Sequence, residues 1–235
     1  MPLATLTLLS MLSGAPALPA RYLALGDSYT IGESVPAAER WPNQLATMLR
    51  EQGANLARPE IVARTGWTSD ELAAALDAVE RGEAVEMAAA EHAARPAPPS
   101  QLVTLLIGVN NQYRGRPVDE YQVQLRALVA RAVAYAGGEP RRVVMLSIPD
   151  WGVTPFARGM GRDAASVARE IDAYNQAARA VCAEAGVAFI DITPLTREAA
   201  TRPELLAGDG LHPSGVDYRR WAEAALPAAR TALGD

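Results

Sequence analysis

With one cysteine, Cys182, a chain of 235 residues cannot close a disulfide within itself. Cys182 shares an apolar-periodic segment with Ile171, Tyr174, Ala178 and Val181, so it reads as a packing thiol rather than a nucleophile. Histidine is nearly as scarce. His92 and His212 cannot build a histidine-based metal cluster, and neither a metal nor a cofactor is expected. Positive charge is short too: the net charge is -5, and Arg141-Arg142 and Arg219-Arg220 are the only basic doublets. A nucleic-acid partner, which needs a basic surface to neutralise phosphates, is therefore not expected. The apolar run from Leu3 to Leu12 is too short to span a bilayer, so no integral membrane span is expected.

That run raises a question of address. It lacks the Lys or Arg of an export signal's basic start and has no Cys for a lipid anchor. Behind it, however, Ala15-Pro16-Ala17 supplies the small residues of a cleavage site. We read residues 1–20 as an export signal in preference to an ordered arm. The protein would then be periplasmic or secreted, or cytoplasmic if the segment is not a signal. Residues 21–235 are read as a single domain, without fixed-period repeats or an interdomain linker; the oligomeric state is left open.

What is present is an alternation of short apolar runs and longer helical patterns. Hydrophobic residues make up 49% and charged residues 21%, the balance of a soluble globular fold. Strands are predicted at Tyr22–Leu25, Glu60–Ala63, Leu102–Ile107, Val143–Ser147 and Val187–Ile190. Between and after them, helices are predicted at Trp41–Glu51, Asp70–Val79, Val118–Ala136, Ala164–Ala185 and Asp217–Thr231. The run from Leu102 to Ile107 is apolar but for Thr104, as a strand covered on both faces should be. Strand and helix in turn predict an α/β fold, a parallel five-stranded sheet with helices on both faces. Glu80–Ser100, rich in Ala, Glu and Pro, reads as a surface helix followed by a stiff loop, with His92 exposed.

Open parallel sheets bind ligands beyond the carboxyl ends of their strands. Gly26-Asp27-Ser28-Tyr29-Thr30 follows the first strand, Arg64-Thr65-Gly66-Trp67-Thr68 the second and Gly108-Val109-Asn110-Asn111 the third. Pro149-Asp150-Trp151-Gly152 follows the fourth, and Asp209-Gly210-Leu211-His212-Pro213 lies beyond the fifth. A serine hydroxyl needs a base to take its proton, and His212 is the imidazole available to Ser28. Asp209, three residues earlier, can fix the tautomer of His212 and stabilise its imidazolium. The amides of Ser28 and Gly66 and the side-chain NH₂ of Asn110 can face a developing oxyanion.

Each piece taken singly has a plainer reading. Gly-Asp-Ser is also an ordinary turn, Asn110-Asn111 a left-handed bend, and Asp209 to His212 a turn leading to Ser214 as a helix cap. Asp27 reads as a residue that holds its loop through backbone amides. Trp67, Trp151 and Tyr113 are compatible with either pocket wall or core. The joint occurrence of all these pieces in order at one sheet edge is what favours chemistry.

Together the four blocks around Ser28, Gly66, Asn110 and Asp209–His212 resemble those of the SGNH (GDSL-type) hydrolases, from about Arg21 to Arg230. The resemblance implies a flavodoxin-like three-layer α/β/α sandwich and metal-free hydrolysis of carboxylic esters. By that likeness Ser28 is the nucleophile, His212 the base and Asp209 its orienting acid, with Ser28, Gly66 and Asn110 forming the oxyanion hole. The expected substrate is a short-acyl ester or a lysophospholipid. The alternatives are an acetylated sugar, a non-catalytic carbohydrate-binding module on the same fold, or a flavodoxin-like nucleotide binder. A Gly-rich phosphate loop, which the last would need, is missing after the first strand. The segment Glu80–Ser100 and the N-terminal extension go beyond a minimal member and leave substrate access open.

Overall fold

The computed structural model of the protein describes residues 18–85 and 99–234. Residues 1–17 of the proposed export signal at 1–20, and most of the Glu80–Ser100 insert, including His92, lie outside the described residues.

Strands β1 (Tyr22–Asp27), β2 (Glu60–Arg64), β3 (Leu102–Leu106), β4 (Val143–Leu146) and β5 (Ala188–Ile190) form one sheet in the order β2-β1-β3-β4-β5. Every neighbouring pair is parallel. β1, β3 and β4 are buried along their whole length, which is why their sequences run apolar instead of alternating. The expected α/β/α architecture is the one observed.

The connecting segments are α1 (Ser28–Ile31), α2 (Trp41–Glu51), α3 (Ser69–Glu80), α4 (Val109–Tyr113), α5 (Val118–Tyr135), α6 (Pro155–Gly159), α7 (Ala164–Ala185), α8 (Thr193–Arg197) and α9 (Gly215–Leu233). α9 packs on α2, while α5 packs between α3 and α7. α7 shows how locally its ends are encoded. Asp163 accepts the N–H of Ser166 at 2.9 Å at one end, and Gly186 closes the other in a left-handed cap. The buried face between carries Val167, Ile171, Tyr174, Ala178, Val181 and Cys182. Cys182 is fully buried there, its thiol pushed up to about 12 by loss of solvent, as fits a packing residue.

Two departures from the sequence reading bear on the site. β1 runs two residues past Leu25, because Gly26 and Asp27 still pair with Ala63 and Arg64. The segment after β3 is a short helix, α4, where the Asn pair alone reads as a turn. Because sheet order reverses direction between β1 and β3, a crevice opens between their carboxyl ends. Ser28 sits on one side of it and Asn110 on the other.

Candidate active site

The Ser28 turn, expected from the sequence to carry the nucleophile, begins where β1 ends. Gly26 is required by close approach: a Cβ there would stand 2.1 Å from Thr30 Oγ1 and 2.4 Å from the carbonyl oxygen of Leu106. Asp27 then caps the turn, its Oδ1 accepting the N–H of Tyr29 at 3.0 Å. This carboxyl is wholly enclosed, and loss of solvent pushes it up to about 8, against the pull of the Tyr29 amide. Ser28 follows as the first residue of α1.

The Asp209–His212 turn, expected from the sequence to carry the acid–base pair, comes from the other end of the chain. A bridge between Leu206 and Pro213 pinches off the loop before α9, and Ala207 N donates to His212 O at 2.7 Å across it. Within the loop, Asp209 Oδ1 accepts the amides of Leu211 and His212, both at 2.9 Å. Its Oδ2 lies 2.7 Å from His212 Nδ1. Partial burial alone would raise the Asp209 carboxyl, but Ser34 Oγ, the two amides and the ring donor outweigh it and hold the group at about 2. His212 Nε2 is 3.0 Å from Ser28 Oγ, joining residues 184 positions apart. The tautomer with its proton on Nδ1 satisfies both contacts: the ring donates to Asp209 and accepts from Ser28. Beneath it, the Tyr29 ring packs against the imidazole at 5.0 Å and on Trp221 of α9 at 6.2 Å.

Gly66 follows β2 with φ of +86°, a conformation that favours glycine, and its amide has no acceptor among the described residues. The two asparagines of α4 divide their work. Asn111 is buried and exchanges hydrogen bonds with Ser69 at the start of α3. Asn110 Nδ2 donates to Trp67 O at 2.9 Å and only weakly, at 3.4 Å, to Asp27 Oδ2. One of its N–H groups is thus loosely held beside the serine.

Ser28, Gly66, Asn110 and His212 line one cavity of about 170 Å³. Its remaining wall is largely apolar, with Val109, Tyr113, Trp151, Phe156 and Leu211. Of the three aromatics left undecided by sequence, Tyr113 and Trp151 line the cavity, Trp151 being part of the buried core as well, whereas Trp67 is core alone. Trp151 is fixed from behind by Nε1 donating to Gln112 Oε1 at 2.7 Å. Phe156 and Ser34 carried no sequence signal, since one lies in the five-residue α6 and the other in a turn, neither with a motif of its own. A wider groove of about 720 Å³ adjoins the cavity at Tyr113 but contains none of Ser28, Asp209 or His212. Three of its arginines are already paired: Arg114 with Glu71, Arg116 with Asp70 and Arg162 with Glu170.

Residues 24–220 match the GDSL-like lipase/acylhydrolase family. The chain belongs to that family. It is accordingly a hydrolase of carboxylic esters. No curated protein gives a sequence match. Among solved structures, TesA is similar at 22% identity and a TM-score of 0.66, over 91% of this chain and 99% of that one. An acetylxylan esterase from Geobacillus stearothermophilus, the Axe2 catalytic mutant, is 20% identical with a TM-score of 0.64, over 90% of this chain and 94% of its own. The psychrotrophic esterase EstA from Pseudoalteromonas sp. is 17% identical with a TM-score of 0.63, over 92% and 100%. These likenesses at low identity establish a shared fold. No helix of the described residues is long and apolar enough to cross a membrane.

Proposed function

We propose that this family member hydrolyses short-acyl esters through an acyl-enzyme on Ser28. Ser28 Oγ attacks the ester carbonyl as His212 Nε2 takes its proton, and Asp209 stabilises the imidazolium. The negative oxygen of the tetrahedral intermediate is met by the amides of Ser28 and Gly66 and by Asn110 Nδ2. Each such donor is worth about a hundred- to a thousandfold in rate. Collapse expels the alcohol, which takes the proton from His212. Water then repeats the sequence on the acyl-serine, releasing the acid and restoring the hydroxyl.

The observation that carries this reading is the continuous relay of 3.0 Å from Ser28 Oγ to His212 Nε2 and 2.7 Å from Nδ1 to Asp209. The acyl class follows from size and lining. A cavity of about 170 Å³ is smaller than the roughly 300–1,000 Å³ of sites for drug-sized ligands, and its wall is mainly apolar. A short acyl group suits it. A longer chain, as in a lysophospholipid, would have to continue over the exposed Phe156 and Met160. An acetylated sugar is the second reading, because an acetyl group also suits the cavity and the similarly folded Axe2 is an acetylxylan esterase. An acyl-length series of aryl esters, run beside acetylated xylan, separates the two.

EstA was crystallised inhibited by monoethylphosphonate, so a phosphonate is a fitting probe here. A fluorophosphonate should label Ser28, and Ser28→Ala should abolish both labelling and turnover of a short-chain aryl ester. Full turnover by pure Ser28→Ala protein rejects the reading.

A further inference from the structure

We propose that Glu33 and Ser34 form a strap that clamps the acid–base turn and the Gly66 loop onto the nucleophile turn, making both of them positioning residues. The proposal rests on the triad reading above. Three observations carry it.

First, the strap is tied to the nucleophile itself. The N–H groups of Gly32 and Glu33 both donate to the carbonyl oxygen of Ser28, the latter at 3.0 Å. Any displacement of residues 32–34 is therefore felt directly at Ser28.

Second, Ser34 reaches across the site. Its hydroxyl donates to Asp209 Oδ2 at 2.7 Å, the same oxygen that faces His212 Nδ1. Asp209 receives three other hydrogen bonds, but those come from Leu211 and His212, inside its own turn. They fix the acid against the imidazole, while the backbone of the turn is held by the Leu206–Pro213 bridge and by Phe156 N–H donating to Gly210 O at 3.2 Å. Ser34 supplies the one hydrogen bond to Asp209 from outside that turn among the described residues. It thus ties the carboxylate itself to the segment that is bonded to Ser28.

Third, the backbone is strained at this residue. Ser34 has φ of +65° and is the one non-glycine residue with positive φ among those described. Such a conformation is disfavoured for a residue with a Cβ and is kept where surrounding contacts impose it. Here the contacts are visible on both sides. Ser34 holds Asp209, and its neighbour Glu33 accepts a hydrogen bond from Thr65 Oγ1, in the cavity wall next to Gly66. Adjacent side chains of one strap therefore grip two loops that come from distant parts of the sequence.

The test compares Ser34→Ala and Ser34→Gly with wild type on a neutral short-chain aryl ester, with Ser28→Ala in parallel. Both Ser34 variants lose the hydroxyl, but glycine relieves the positive φ and alanine does not. Because Ser34 lies outside the cavity wall, kcat should fall about tenfold in both variants with KM little changed, the kinetic equivalent of about 1.4 kcal/mol. Tm should separate the two, with glycine the more stable. Glu33→Ala should also lower kcat, and Glu33→Gln, whose amide oxygen still accepts from Thr65, should restore most of it. Wild-type kcat in both Ser34 variants, or a loss in alanine that glycine repairs, overturns the strap while a dead Ser28→Ala leaves the triad standing. Full turnover in Ser28→Ala overturns the triad and the strap together.

Discussion

Asp27→Asn should stabilise this protein at neutral and alkaline pH, although the carboxyl it removes lies beside Ser28. Asp27 is fully enclosed, and burial lifts its pKa from 3.8 to about 8 in the folded chain. Between those values the native state keeps a proton that the unfolded chain has released. Stability therefore falls as pH rises through that window, by about 1.4 kcal/mol for each pH unit. From about pH 4 to 7 the loss is on the order of 4 kcal/mol, a large part of the stability of an ordinary domain. Asparagine is nearly isosteric, still accepts the Tyr29 amide through its oxygen, and carries no titrating group. Urea unfolding of both proteins at about pH 4.5, 6 and 8 measures the effect. The two should be close in stability at the lowest pH, and the variant should gain steadily above it. Parallel pH curves would refute the reasoning, because Asp27 would then be ionised as readily in the folded chain as in the unfolded one.

Asp209→Asn should cut kcat on the order of a thousandfold or more, since an amide favours the wrong imidazole tautomer and leaves the imidazolium uncompensated. The carboxyl is held down at about 2 in the fold, so its stabilising contribution is present above about pH 4 and is lost as pH falls toward 2. Acid unfolding of wild type and variant should converge over that interval. Arg197→Met should lower stability by about 1–3 kcal/mol in a urea titration, because it takes the partly exposed guanidinium from the buried Asp150 carboxylate. That partner is now 2.8 Å away, and the same carboxylate caps the Trp151 loop through the N–H of Gly152. KM for aryl esters should rise with it. Gly26→Ala should misplace the Ser28 turn and cost about 1–3 kcal/mol by overpacking, read by Tm together with loss of fluorophosphonate labelling.

Much of the fold could be read from local pattern. The apolar runs of β1, β3 and β4 mark strands buried on both faces, and α7 is delimited residue for residue by its periodicity and by Gly186. The motif blocks likewise single out Ser28, Gly66, Asn110, Asp209 and His212, since each needs a residue type that few others can replace. What distinguishes Trp151 from Trp67 is not in their own stretches: both follow a strand and both are packed in the core, yet only Trp151 also lines the cavity. The same holds for Asn110 and Asn111, which are chemically identical and point to different tasks. Phe156 and Ser34 are ordinary in composition and acquire a role only through what they meet, in Ser34's case a carboxylate 175 positions away. Sequence thus determined which groups were available and which segments were strands or helices, because propensity, capping and periodicity act within a few residues. Tertiary structure alone decided which groups touch, how large the cavity is and how far Asp27 is pushed from its ordinary acidity. Those depend on sheet order and on the exclusion of water by segments remote along the chain.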